Sequence, residues 1–251
     1  MSHVKIRLDR LLVEKGLIQS RDRAKAVIMA GKVLVNRVRV DKPGTLICSH
    51  AEITLTGEDH PYVSRGGLKL EKALDEVNFD VQGLECLDVG ASTGGFTDCL
   101  LQHGARLVHA VDVGYGQLAW KLRQDPRVHV IERTNIRNMP DTTLPSPVDL
   151  VTIDVSFISL KIVVPSILRF LKPTAAIFTL IKPQFEVGKG LVGKGGVVQD
   201  ASLQEAVILE LTTFFTRLSL ECKQVIPSPI TGPKGNREFI AYLVRSEWGP
   251  R

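Results

Sequence analysis

The chain has few of the features that mark secreted, membrane-spanning or metal-binding proteins. Its 251 residues include four cysteines, at positions 48, 86, 99 and 222, and none of them forms a Cys-x-x-Cys pair. Such isolated cysteines are typical of a reducing compartment and argue against disulfide and structural metal roles. No apolar run approaches the ~20 residues that cross a bilayer, and the first ten residues are too charged for a signal peptide. We expect a cytoplasmic protein with no metal site and no membrane partner.

Positive charge is concentrated in one short part of the chain. The net charge is +5, yet residues 1–42 carry eleven Lys and Arg against four Asp and Glu, so the remainder is slightly acidic. A length of 251 residues exceeds an average domain and favours two domains. A basic first module is typical of nucleic-acid binding, although charge alone would equally suit a solvated surface.

The first domain is predicted to be small and of the α+β type. Leucines at 8–12 share a helical face that Gly16 ends, and Ser20 is placed to cap a second helix that Gly31 ends. Hydrophobic residues then alternate around Asn36-Arg37, the pattern of a tight β-turn. Six basic side chains fall outside this core and are candidate RNA contacts: Arg7, Arg10, Arg21, Arg23, Lys25 and Lys32.

The most informative stretch is residues 86–96, Cys-Leu-Asp-Val-Gly-Ala-Ser-Thr-Gly-Gly-Phe. A short apolar strand runs into a glycine turn and then into an amphipathic helix, as in doubly wound nucleotide-binding folds. An acidic residue follows 22 positions after the first glycine, where a carboxylate usually takes ribose hydroxyls. Asp88, two residues before the first glycine, favours S-adenosylmethionine over a dinucleotide. The candidate cofactor contacts are Asp88, Gly90, Ser92, Gly94, Phe96 and Asp112.

Beyond a joint at 60–67, strands and helices alternate, which predicts an α/β fold: a mostly parallel sheet with helices on both faces and an antiparallel last strand. The strands are expected near 85–89, 107–112, 128–132, 149–154, 176–182, 221–227 and 238–244, and the main helices near 68–77, 158–171 and 201–218. Chemistry in such sheets gathers at the carboxyl ends of the strands. Asp154 and Lys182 end two of them, so they predict a site, although a structural ion pair would also fit.

Two stretches of the chain resemble known families. Arg7-Leu-Asp-Arg-Leu-Leu, Ser20-Arg-x-Arg-Ala and Gly31-x-Val-x-Val-Asn resemble the S-four RNA-binding domain, over about fifty residues. Residues 60–244 resemble the FtsJ-like methyltransferases through Ser64-Arg-Gly-Gly-x-Lys-Leu, Asp154-Val-Ser-Phe-Ile-Ser, Ile181-Lys-Pro-Gln-Phe-Glu and Gly235-Asn-x-Glu. Joined, they resemble the TlyA, or haemolysin A, family of rRNA cytidine 2′-O-methyltransferases. The domains implied are 1–59, a linker at 60–67, and 68–251.

The resemblance implies S-adenosylmethionine as cofactor, rRNA or ribosomal subunits as partner, and a catalytic tetrad at Lys69, Asp154, Lys182 and Glu238. A ribose hydroxyl must lose its proton as it attacks a sulfonium methyl group. Lys182 is the candidate base, since desolvation and a neighbouring cation favour a neutral amine. Lys69 would supply that cation and steady the alkoxide, Asp154 would orient Lys182, and Glu238 would position Lys69 or the ribose.

Several other functions fit the sequence less well. Methylation of cytosine carbon needs a cysteine nucleophile after the fourth strand, and amino-group methyltransferases commonly end that strand in Asn/Asp-Pro-Pro-aromatic, whereas this chain has Asp154-Val-Ser-Phe. A membrane-lytic toxin, as the haemolysin label suggests, would need a membrane-inserting segment. A non-enzymatic RNA-binding factor would not need the tetrad.

Two further expectations concern specificity. Residues 185–198 hold five glycines with Lys189 and Lys194, a loop that would close over RNA and cofactor or serve as a disordered connector. Members of the resembled family modify the large-subunit rRNA alone or both subunits, roughly according to terminal extensions. The nine residues after Tyr242 favour the narrower specificity, 23S rRNA, with 16S rRNA as the alternative.

Overall fold

A computed structural model of the protein describes residues 5–18, 20–29, 31–56, 60–193 and 195–245. The chain divides into two compact units, Met1–Pro61 and Tyr62–Arg251. No helix within the described ranges is long and apolar enough to cross a membrane.

The first unit packs two helices against short strands. Its elements are β1 (Lys5–Arg7), α1 (Leu8–Glu14), α2 (Arg21–Met29), β2 (Val33–Val35), β3 (Val38–Arg39), β4 (Leu46–Cys48) and β5 (Ile53–Leu55). Strands β3, β2 and β5 form one antiparallel sheet, and β1 pairs with β4. The predicted turn is confirmed, since Asn36 and Arg37 have φ of +48° and +67°, the sign that a type I′ hairpin turn requires. The predicted cap also forms, as Arg23 N donates to Ser20 Oγ.

The second unit is built on a seven-stranded sheet in the order β11-β12-β10-β9-β6-β7-β8. Its strands are β6 (Glu85–Val89), β7 (Leu107–Val111), β8 (Val128–Ile131), β9 (Val148–Ile153), β10 (Leu171–Ile181), β11 (Leu220–Pro227) and β12 (Phe239–Arg245). Its helices are α3 (Gly66–Glu76), α4 (Gly95–Gln102), α5 (Trp120–Arg123), α6 (Leu160–Ile167), α7 (Pro183–Glu186) and α8 (Ala201–Arg217). β6 to β10 are parallel, while β12 runs antiparallel to both of its neighbours. The predicted α/β fold and its antiparallel last strand are confirmed.

The two faces of this sheet carry separate apolar cores. Helices α3 and α4 pack on one face, and α6 and α8 pack on the other. The central strands β6, β7, β9 and most of β10 are buried on both sides, which is why their sequences are almost continuously apolar. This two-sided burial fixes the carboxyl ends of β6, β9 and β10 at one edge.

The linker predicted at 60–67 belongs in large part to the second unit. Tyr62 is 2% exposed, its hydroxyl donates to Glu71 Oε1 at 2.7 Å, and Val63 N donates to Asp98 Oδ2 at 2.7 Å. Helix α3 then begins at Gly66. The Pro and Gly residues that suggested the joint lie in a packed turn before this helix.

The helix predicted at 158–171 is shorter than its apolar pattern suggested. Ser159 caps α6 through Lys161 N, the helix ends at Ile167, and a 3-10 turn follows. β10 then starts at Leu171 and shifts register before Ala176. Phe170 and Leu171 are buried in the same core as α6, so the apolar pattern continues past the residue at which the backbone leaves the helix.

Candidate active site

The carboxyl ends of the parallel strands border a cavity of about 540 Å³ in the second unit. Six of the ten predicted catalytic and cofactor residues line it: Lys69, Gly90, Ser92, Phe96, Asp154 and Lys182. They come from α3, the glycine turn after β6, the start of α4 and the ends of β9 and β10. The sheet topology therefore brings together residues that are more than a hundred positions apart in sequence.

The glycine turn leaves no room for side chains at the cavity floor. Gly90 has φ of +86°, and a Cβ there would stand 2.5 Å from the carbonyl oxygen of Asp154. A Cβ on Gly95 would stand 2.3 Å from Ser64 Oγ. A floor of bare backbone lets a ligand approach closely, which fits the nucleoside and amino-acid parts of S-adenosylmethionine.

Asp112 shapes this turn from outside the residues that line the cavity. Its Oδ2 accepts from Ser92 N at 2.7 Å, and its Oδ1 accepts from Gly114 N at 2.7 Å. Both carboxylate oxygens are thus occupied by backbone donors. Contact with ribose hydroxyls would use the remaining lone pairs, so Asp112 stays a predicted cofactor ligand.

Asp88 and Gly94 also lie behind the cavity wall. Asp88 is fully buried and accepts from Thr97 Oγ1 at 2.7 Å and Thr152 Oγ1 at 2.9 Å. Burial raises the pKa of its carboxyl to about 6, against the opposing effect of these hydrogen bonds. Gly94 precedes α4 with φ of +97°, and a Cβ there would collide with Leu122. Both residues support the turn, and their contact with cofactor stays a prediction.

Two buried lysines, each paired with a carboxylate, lie at the site. Lys69 Nζ donates to Glu238 Oε2 at 2.6 Å, with side chains 10% and 0% exposed. Lys182 Nζ forms an ion pair with Asp154 Oδ1 at 2.5 Å and donates to Ser156 Oγ at 3.0 Å. Glu238 does not line the cavity; it acts on it through Lys69. The four residues thus stand as two pairs, with both ammonium groups facing one space.

The cavity also contains residues that the sequence did not single out. Ser64 and Arg65 line it from the turn before α3, and Ile230 and Thr231 from the turn after β11. Ser64 and Arg65 belong to the quoted Ser-Arg-Gly-Gly motif, which could have indicated them. No sequence pattern indicated Ile230 and Thr231, because their placement depends on the long-range pairing of β11 with β12.

An exposed aromatic residue lies near Lys182. Phe157 is 91% exposed and has φ of +63°, a left-handed conformation that is rare for a bulky residue. Its ring centroid lies 5.0 Å from that of Phe185, and Ser156, which bonds Lys182, precedes it directly. A strained, exposed aromatic next to reactive groups points to a role in ligand contact.

In the first unit, the predicted RNA contacts are arranged around acidic partners. Arg7 and Arg21 both bond Asp9, at 3.0 and 3.1 Å, and the guanidinium of Arg7 holds the pKa of that buried carboxyl well below its usual range. Arg10 pairs with Glu14 and Lys25 with Asp22, Arg23 donates to His60 O, and Lys32 bonds Val27 and Thr56 through its backbone. Arg7, Arg10, Arg21 and Lys25 keep 45–67% of their side-chain surface exposed.

The glycine-rich segment is partly ordered by local structure. Residues 189–191 form a 3-10 turn, and Gly193 N and Val197 O are joined at 3.0 Å. Lys194 and the side chain of Lys189, which were expected to contact RNA, lie outside the described residues. Within the described ranges, no group of three or more His, Cys, Asp or Glu side chains is placed to hold a metal ion.

Comparison with known proteins gives a consistent family. The FtsJ-like methyltransferase family matches residues 62–245, and the S4 (S-four) domain family matches residues 6–53. The chain is 50% identical over 245 residues to YqxC of Bacillus subtilis, a candidate rRNA methyltransferase, covering 97% of this chain and 87% of that protein. It is 46% identical over 238 residues to the 16S/23S rRNA (cytidine-2′-O)-methyltransferase TlyA of Mycobacterium tuberculosis, covering 94% and 89%.

A solved structure agrees with these relatives. A candidate hemolysin from Streptococcus thermophilus superposes with a TM-score of 0.76 at 44% identity, covering 98% of this chain and 90% of that chain.

Proposed function

Because the chain belongs to the FtsJ-like methyltransferase family and, within it, to the TlyA (haemolysin A) group, we propose that it transfers a methyl group from S-adenosylmethionine to the ribose 2′-hydroxyl of a cytidine in rRNA. The observation that carries this proposal is the pair of buried lysine side chains, Lys69 and Lys182, facing one glycine-floored cavity. An RNA-binding domain on the same chain supports an RNA acceptor.

The cofactor would lie against the glycine turn of residues 90–95, which Asp112 and Asp88 brace from behind. When bound, it supplies an electrophilic methyl group on a sulfonium. The bare backbone at Gly90 and the face of Phe96 would contact it, while Ser92 and Asp112 would hold its ribose.

The acceptor hydroxyl must lose its proton to an amine as the new bond forms. In this assignment Lys182 reacts in its neutral form: Nζ takes the proton of the 2′-hydroxyl, and its contacts with Asp154 and Ser156 fix where the amine lies. Lys69, held by Glu238, keeps its charge and stabilises the developing alkoxide.

The exposed ring of Phe157 is available to stack on the base attached to that ribose. Phe157 presents nearly its whole ring to solvent beside Lys182 and is backed by Phe185. Stacking of an unpaired base on an exposed aromatic contributes about 1–3 kcal/mol. Phe157 would therefore hold the target nucleotide, or its neighbour, with the ribose near the lysines.

The direct test is transfer of labelled methyl from S-adenosylmethionine to unmodified rRNA, followed by digestion to nucleosides. We expect label in 2′-O-methylcytidine from 23S rRNA, and separate reactions with 16S rRNA decide whether the second subunit is also a substrate. Label on a base carbon or amino group would assign different chemistry to this cavity. Absence of transfer with tight rRNA binding would make the chain a non-enzymatic RNA-binding factor.

A further inference from the structure

One buried amide connects the glycine-rich segment to the loop that carries Glu238. Asn236 is 3% exposed. Its Nδ2 donates to Gly196 O at 3.0 Å, and its Oδ1 accepts from Val198 N at 3.1 Å. It belongs to the Gly-Asn-x-Glu motif, in which the sequence suggested a role for Glu238 alone. Both ends of its amide group are thus used on one short stretch of backbone.

That stretch is itself fixed to the body of the second unit. Val198 is 3% exposed, and its carbonyl oxygen accepts from Gln204 Nε2 at 2.8 Å. Gln204 is equally buried on α8. The end of the glycine-rich segment is therefore anchored to α8. Asn236 in turn holds the loop that carries Glu238 to this anchor.

On its other side, Asn236 closes the turn that forms one wall of the cavity. Its carbonyl oxygen accepts from Gly232 N at 2.8 Å, and Ile230, Thr231 and Gly232 line the cavity. The turn is tight, since a Cβ on Gly232 would stand 2.0 Å from Glu238 Oε1.

Glu238 depends on this packing for its position. Its Oε1 is buried and has no hydrogen-bond partner within the described part of the chain, so Lys69 is the one hydrogen-bonding contact that orients the carboxylate there. A shift of the turn would move Glu238, and Lys69 with it.

We propose that Asn236 is a positioning residue that fixes the Glu238–Lys69 pair relative to residues 196–198 of the glycine-rich segment. The assignment of a rate effect rests on the proposed methyl transfer. Asn236 does not touch the reacting atoms. Its hydrogen bonds to residues 196–198 and to Gly232 fix the turn that positions the Glu238 carboxylate, and Glu238 holds Lys69.

The experiment compares Asn236→Ala and Asn236→Asp with Gln204→Met in the full-length protein. Asn236→Asp keeps the size but places an acceptor against Gly196 O, while Gln204→Met removes the anchor bond and leaves both Asn236 contacts. We expect kcat for methyl transfer to fall at least about tenfold in both Asn236 variants, the scale of lost positioning. The KM for S-adenosylmethionine should stay within about twofold, and Gln204→Met should have the smaller effect on kcat.

Hydrogen exchange gives a second readout that needs no activity. In the wild type, the amides of Val198 and Gly232, which both donate to Asn236, should open with the same free energy, and Asn236→Ala should expose both together. Different opening free energies in the wild type, or an unchanged kcat in a folded Asn236 variant, would overturn the proposal. If the alanine variant does not fold, the wild-type exchange and the Asn236→Asp kinetics decide. A wild type that transfers no methyl group refutes the proposed function, and the exchange result still stands.

Discussion

Two groups of paired cations, one in each unit, differ in how far they are exposed to water. In the first, Arg7 and Arg21 surround the buried Asp9 yet remain 50% and 54% exposed. In the second, Lys69 and Lys182 are only 10% and 9% exposed. Because about half of each side chain stays in water, Arg7 and Arg21 can contact a phosphate while they remain bonded to Asp9. Lys69 and Lys182 are withdrawn from water, and we expect their carboxylate partners to fix their positions in the cavity instead.

The largest expected effect is at Lys182. Lys182→Ala should lower the methyl-transfer rate at least ~100-fold, the low end of general-base contributions, with cofactor affinity nearly unchanged. Lys182→Arg should fail almost as badly, because a guanidinium stays protonated at any working pH. Radiolabel transfer measures both.

The matched control for Lys182 lies on the same pair of strands. Lys172 pairs with Asp149 at 2.7 Å, and neither lines the cavity, so Lys172→Ala should retain activity. A vigorous Lys182→Arg enzyme would show that the side chain acts only as a cation, with water taking the proton.

A smaller effect is expected on the cofactor turn. Asp112→Ala should weaken S-adenosylmethionine binding by about 1–3 kcal/mol, the scale of hydrogen bonds to a charged group. Part of this loss comes from releasing Ser92 N and Gly114 N. Calorimetry measures it, with Asp125→Ala, whose carboxylate pairs with Arg127, as control. Unchanged affinity would remove Asp112 from the cofactor site.

Asp9 should determine the acid stability of the first unit. Because its pKa is lowered in the folded state by Arg7 and Arg21, its contribution is present above the unfolded pKa of about 3.9 and is lost as pH falls below it. Asp9→Asn should cost about 1 kcal/mol at neutral pH, since the amide keeps one acceptor oxygen. Denaturant unfolding of the variant should show less loss of stability between pH 5 and pH 3 than the wild type. An equal loss in both would show that other carboxyls carry the acid sensitivity.

The smallest effect concerns single phosphate contacts. Arg21→Ala and Lys25→Ala should each reduce the log–log salt dependence of rRNA binding by roughly one. Fluorescence titrations at several salt concentrations measure this slope, and Lys72→Ala, an exposed paired lysine of the second unit, is the comparison. A slope that does not change would show that these side chains are occupied by Asp9 and Asp22 rather than by RNA.

The sequence predicted most of what local rules determine. The strand–glycine turn–helix at residues 85–102 and the hairpin turn at Asn36-Arg37 both formed, because few backbone conformations satisfy those residues. Lys69 and Glu238 could be paired only through a family resemblance, since 169 positions separate them and only the sheet topology joins them. No periodic pattern in the sequence indicated the conformation of Phe157, the cavity wall at Ile230 and Thr231, or the amide contacts of Asn236. They arise from the packing of loops against one another.

One experiment tests directly whether exposed cations of the first unit bind RNA while buried lysines of the second unit perform methyl transfer. The rate constant for a single turnover is measured at saturating rRNA for the Arg21→Ala/Lys25→Ala double variant and for Lys182→Ala. We predict that the double variant needs more rRNA to saturate but then transfers at the wild-type rate, while Lys182→Ala saturates normally and transfers at least ~100-fold more slowly. A double variant that stays slow at saturation, or a Lys182→Ala protein whose only defect is rRNA affinity, would contradict the account.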